Sequence, residues 1–78
     1  MKESDVIDCM KDIISSCLPL SCSTGLVRDR LCNEFEICYP DNTKILKMLK
    51  QEAENDPNLT YGKIGREYYW KYKVGVFV

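Results

Sequence analysis

The chain contains no histidine, and that absence removes whole classes of chemistry. No serine can be activated by an imidazole, so a Ser-His-Asp arrangement is excluded. Zinc sites of the finger or ribbon kind are disfavoured as well, because no Cys-x-x-Cys pair stands in for the missing histidines. The steps from Cys17 to Cys22 and from Cys32 to Cys38 are wider than such knuckles. Cys22 or Cys32 as a thiolate has no identifiable base beside it, and Gly62 and Gly65 do not open a helix after a strand as a phosphate cradle requires. The chain is therefore read as no enzyme, with no metal and no small-molecule cofactor.

Long apolar runs are missing too. None approaches the ~20 residues that span a bilayer, and no secretory hydrophobic segment follows Met1. The expectation is an intracellular protein, cytoplasmic or nuclear, without a membrane partner. Internal repeats and low-complexity segments are also lacking, which excludes a solenoid.

What is present fits one small folded unit. The 78 residues are 45% hydrophobic and 29% charged, the composition of a globular domain rather than a disordered tail. So short a chain buries only about 60% of its unfolded surface, so each apolar position matters. The formal net charge of −1 argues against coating nucleic acid by bulk charge. Its distribution says more: residues 1 to 56 carry seven Lys/Arg against eleven Asp/Glu, whereas residues 57 to 78 carry Lys63, Arg66, Lys71 and Lys73 against Glu67 alone.

Five cysteines, Cys9, Cys17, Cys22, Cys32 and Cys38, lie in the first half. An odd number cannot pair completely within one chain, and reduced thiols are the simplest reading. Cys9 and Cys17 suit core packing, where free cysteine behaves as a small hydrophobe.

Along the chain, Val6, Ile7, Met10, Ile13, Ile14 and Cys17 fall on one face at helical spacing, predicting a first helix over 4–17 capped by Ser4. Asp5, Asp8 and Asp12 form its opposite, solvated side. Pro19 ends it, and a short extended piece over 18–21 is expected as a minor edge strand. Ser23 then caps a second helix, about 24–35, through Leu26, Val27, Leu31 and Phe35, with Gly25 weakening its first turn. A turn over 36–41, ended by Pro40, leads to a third helix at about 42–55, capped by Asp41 or Asn42, with Ile45, Leu46, Met48, Leu49 and Ala53 on its apolar side. Beyond Pro57 the periodicity changes. Residues 59–61 read as a strand, 62–66 as a wing tip and 67–74 as a returning strand rich in β-formers, which 75–78 extend or leave. Alternation puts Tyr68, Trp70 and Tyr72 toward the helices, with Trp70 closing the core, and Tyr69, Lys71 and Lys73 on the other face.

Three helices followed by a hairpin with a Gly-x-x-Gly-Arg tip give an α+β fold that resembles the winged helix-turn-helix superfamily. The resemblance covers about residues 4–74 and rests on element order. It implies that the third helix enters a DNA major groove and the wing touches the backbone or minor groove. Lys44, Lys47, Lys50 and Gln51 would then read the duplex, with Lys63 and Arg66 on the wing. Tyr69, Lys71 and Lys73 are further candidates, since an exposed aromatic among bases suits stacking and backbone contact. Independently of the resemblance, the third helix has its lysines first and Glu52, Glu54 and Asp56 last, which opposes its dipole at roughly 0.3–1 kcal/mol per charge. Such a sacrifice is expected at a functional surface.

DNA is thus the expected partner, with transcription regulation as the role. The alternative is a protein-interaction domain, a small regulator of the kind viruses and phages encode. It would use its acidic helix faces or the apolar Val76-Phe77-Val78 end to bind a partner or form a homodimer.

Overall fold

The computed structural model describes residues 2–73. The elements run α1 (Glu3–Ser16), β1 (Cys22–Ser23), α2 (Thr24–Phe35), α3 (Asn42–Asn55), β2 (Leu59–Ile64) and β3 (Glu67–Tyr72). The fold is α+β, with three helices and a three-stranded antiparallel sheet in the order β1-β3-β2. Among the described residues no helix is long and apolar enough to cross a membrane.

Helical periodicity produces the core. Val6, Met10, Ile13 and Ile14 of α1, Val27 and Leu31 of α2, and Ile45, Met48 and Leu49 of α3 are buried together with Cys22, Ile37, Leu59 and Trp70. Leu46 and Ala53 pack partly against them, whereas Leu26 and Phe35 of α2 stay exposed. Trp70 is fully buried, and its indole Nε1 donates to Thr24 Oγ1 at 2.9 Å. Thr24 Oγ1 donates onward to the Tyr68 carbonyl at 3.3 Å. Both polar groups are thereby satisfied inside the core, as burial demands.

Two expected caps are in place. Ser23 accepts from the Leu26 amide at 3.1 Å and Asp41 from the Lys44 amide at 2.8 Å. Ser4 does not cap α1: the helix starts one residue earlier, behind Lys2, which makes no side-chain cap. Glu3 and Asp5 occupy the first turn instead, where acids suit the positive end of the dipole.

The cysteine reading needs correction. Cys9, Cys17 and Cys22 are free thiols packed in or against the core, but Cys32 and Cys38 are joined by a disulfide. The cause is the way α2 ends. Glu36 takes a left-handed conformation at φ 58°, its amide donates to the Cys32 carbonyl, and the Ile37 amide donates to the Leu31 carbonyl. The Glu36-to-Cys32 bond is that of an αL helix cap, and the Ile37 bond reaches further back than a Schellman turn would place it. This closure drives Ile37 into the core and returns the chain until the Cys32 and Cys38 Cα atoms are 4.4 Å apart.

The wing also differs from expectation. Residues 62–64 belong to β2 rather than to a five-residue tip, with Gly62 paired to Tyr69, Lys63 to Tyr68 and Ile64 to Glu67. Gly65 and Arg66 alone make the reversal. Gly65 at φ 64° supplies the positive torsion that a two-residue hairpin turn requires. The expected extension of β3 to Val74 and the apolar end at 76–78 lie outside the described residues.

Candidate nucleic-acid interface

Hairpin register decides which side chains share a face. Opposed residues point the same way and successive residues alternate, so Tyr61, Lys63, Tyr68 and Tyr72 share the helix side with Trp70. On that side Tyr61 lies 4.9 Å from the Trp70 ring and 6.1 Å from the Tyr68 ring, centroid to centroid. The aromatic row starts in the core at Trp70 and emerges at Tyr61 and Tyr68, beside α3.

Lys50 of α3 meets this row. Its Nζ donates to the Tyr68 hydroxyl at 3.2 Å and lies 4.6 Å from the centre of the same ring. Lys63 Nζ lies 5.6 Å from that ring. Two cations on one tyrosine shift its ionisation: the Lys50 hydrogen bond first, opposed by partial burial and aided by the Lys50 and Lys63 charges, holds the Tyr68 hydroxyl below its ordinary value.

The groove between α3 and the wing has two adjoining concavities. One, of about 160 Å³, is lined by Thr24, Asn42, Thr43, Leu46, Arg66, Glu67 and Tyr68. The other, of about 220 Å³, is lined by Thr43, Leu46, Lys47 and Lys50. Both are smaller than the pockets of roughly 300–1,000 Å³ that enclose drug-sized ligands, and both are open, which suits a surface that follows a chain. Glu67 is the acid in this lining.

The sequence-expected residues therefore divide. Lys47, Lys50, Lys63 and Arg66 converge on the groove through Tyr68, Thr43 and Leu46. Lys44 lies one turn earlier on α3, with its Nζ 5.6 Å from the ring of Tyr39. Gln51 is exposed one turn after Lys47. Tyr69 and Lys71 point to the opposite face of the sheet and do not join this group. Lys73 follows β3, its amide donating to the Asn58 carbonyl at 2.9 Å. Tyr68, which lines the groove, and Tyr61 beside it are aromatic residues that the sequence pattern does not place with these cations. The signal that finds them is cross-strand register, once β2 is counted from Leu59 opposite Tyr72.

The charge inversion of α3 also acquires a structural account. Lys11 of α1 reaches Glu52 at 2.7 Å and Asp56 at 3.3 Å, so the acids at the end of α3 serve as its docking partners on α1. Among the described residues, Lys44, Lys47, Lys50, Lys63 and Arg66 pair with no carboxylate. The acidic end of the helix is turned inward to a lysine while the basic stretch remains open.

No family model, curated protein or solved structure matches this chain.

Proposed function

We propose that this chain is a nucleic-acid-binding domain of winged-helix type that takes double-stranded DNA along α3 and the β2–β3 wing, with RNA tolerated. The observation that carries the reading is the set of cations Lys44, Lys47, Lys50, Lys63 and Arg66, unpaired with carboxylates among the described residues and gathered along α3 and its groove. A helix exposing Lys44, Lys47 and Gln51 on one arc carries the donors that read purine edges in a major groove. Arg66 at the hairpin turn and Lys63 beside Tyr68 are suited to phosphate contact. Phosphates near the first turns of α3 turn the unfavourable lysine placement into a favourable one. The order of elements, three helices and then a hairpin, is the one on which the winged-helix resemblance rests. Catalysis is no part of this reading. Transcription regulation follows from it as the role, and so does an intracellular location, where the Cys32–Cys38 bond would meet reducing conditions.

Retention of mixed-sequence duplex DNA in a mobility-shift assay, lost for all sequences in the K47E/R66E variant, tests it. Equal retention of both proteins refutes the assignment of α3 and the wing.

A second reading, a protein-interaction domain, is favoured by one feature. β2 is an edge strand whose residues Thr60 to Ile64 are all exposed, with Ile64 at 72%. An open edge of this kind can accept a strand from a partner or from a second copy.

A further inference from the structure

Tyr61 is the exposed end of an aromatic row whose other end lies in the core. Trp70 is fully buried, while Tyr61, its partner across the β2–β3 register, is 47% exposed. The two ring centroids are 4.9 Å apart with 35° between the planes, and the Tyr68 ring lies 6.1 Å from Tyr61 at 43°. Tyr61 therefore backs onto an indole that is itself held in place, since Trp70 Nε1 donates to Thr24 Oγ1 at 2.9 Å inside the core. On the side away from β3 no strand follows among the described residues, because β2 is the edge of the sheet. A half-exposed ring seated on a rigid neighbour is a preorganised stacking surface, with little side-chain entropy left to lose when a flat ligand covers it.

The charges beside the ring select that ligand. Lys63 stands two residues along β2 on the same face, with its Nζ 5.6 Å from the centre of the Tyr68 ring, and Lys50 Nζ lies 4.6 Å from the same centre. Neither lysine pairs with a carboxylate among the described residues. Cations gathered next to an open aromatic face suit a flat group that carries negative charge at its edges, and a nucleobase on its phosphate backbone is such a group. Inside a duplex the faces of the bases are covered by one another, so the base that stacks here is unpaired.

We propose that Tyr61 is a stacking position for one unpaired nucleobase, with Lys50 and Lys63 on the phosphates that flank it, so that the domain favours a duplex with a single-stranded tail over a blunt one. This inference rests on the duplex reading of α3 and the wing, and it adds the place where the duplex gives way to a single strand. Every base offers a π-face, so the site reads the presence of a tail and not its sequence.

The test uses the full chain in anisotropy titrations at one salt concentration with three DNAs: a blunt duplex, the same duplex with a short oligothymidine tail, and the same duplex with an abasic tail of equal length. The abasic tail carries the same phosphates without bases, which separates stacking from charge. The oligothymidine-tailed duplex should bind at least about fivefold tighter than the abasic-tailed one, the gain expected from one stacked base. Y61F should keep this preference. Y61L, which still covers Trp70 but has no π-face, should bind the oligothymidine and abasic tails alike. Equal affinity of the wild type for those two tails, or a preference that survives in Y61L, overturns the stacking site. The tails compared on the wild type decide this even if Y61L is unstable. Blunt-duplex affinity reports separately on α3 and the wing: the stacking site fails alone where blunt duplex is bound and the tail makes no difference, and both readings fail where no DNA is bound. A free chain that sediments as a dimer and ignores the tails gives the Tyr61 face to a second copy, which also overturns the proposal.

Discussion

Lys50 Nζ stands 3.2 Å from the Tyr68 hydroxyl and 4.6 Å from the centre of its ring, so one lysine ties α3 to the wing by a hydrogen bond and a cation–π contact at once. The helix and hairpin of the proposed interface are held in one geometry by a group that belongs to it. In the proposed interface Lys50 has a positioning role besides the phosphate contact assigned to the α3 lysines.

This contact has a titration signature. Tyr68 ionises below its ordinary value of 10.0 because of Lys50 first, with Lys63 adding to the effect. In K50M an NMR-monitored titration should move the Tyr68 ring transition upward. The sign for stability follows: a depressed folded value gives a contribution present above the unfolded value and lost as pH falls through the folded one. An unchanged Tyr68 transition in K50M contradicts the contact.

A half-buried tyrosine and a buried thiol act in the opposite direction. Tyr72, raised by burial first, and Cys22, raised by burial and by Cys17, both reach about 12 from ordinary values of 10.0 and 9.0. Groups raised in the folded state stabilise it fully below their unfolded values and lose that contribution as pH rises to the folded ones. Their part of the stability should fall between pH 9 and about 12, visible as cooperative alkaline unfolding by circular dichroism. Y72F should blunt that loss. A stability that is flat across this window excludes both shifts.

The Trp70 indole depends on Thr24 for its partner. T24V keeps the shape but leaves a buried N–H without an acceptor, a cost of about 1–3 kcal/mol. T24S retains the hydroxyl and should lose much less. Urea unfolding of both variants measures the difference, and equal midpoints would show that the hydrogen bond contributes nothing.

Glu36 holds a left-handed conformation that glycine adopts without penalty. E36G should raise stability by up to about 1 kcal/mol, because relief of the Cβ strain exceeds the entropy that glycine gives to the unfolded chain. A lower melting temperature for E36G in calorimetry would mean that the Glu36 side chain carries an unrecognised contact.

Elements set by local chemistry are readable from the sequence alone. The spacing of Val6, Met10, Ile13 and Ile14, the capping residues Ser23 and Asp41, and the burial of Trp70 all follow from period, cap and alternation. What could not be read depends on backbone torsion or distant contact. Whether Ser4 or Lys2 precedes α1 is decided by where the backbone leaves the extended region, which both residues permit. Lys63 looks like part of a tip because Gly62 precedes it, yet the positive torsion of Gly65 completes the turn in two residues and puts Lys63 on β2 beside Tyr68. The Cys32–Cys38 bond depends on Glu36 turning left-handed, an unusual conformation for a glutamate. The pairing of Lys11 with Glu52 bridges residues 41 positions apart, which no periodicity reveals. Of the candidate site, the lysines of α3 were legible as an inverted helix, but the tyrosines that join them to the wing were not.

The central claim, that α3 and the groove face of the wing bind duplex DNA, is tested most directly by a salt-series mobility shift on three proteins. These are the wild type, K47E/R66E with its changes on the groove, and K71E with its change on the outer face of the sheet. Engagement of the five unpaired cations predicts a log–log salt slope of roughly −4.5 for the wild type. K71E should keep that slope, and K47E/R66E should lose affinity across sequences. Binding that is independent of salt, or a loss in K71E matched by none in K47E/R66E, would contradict the account.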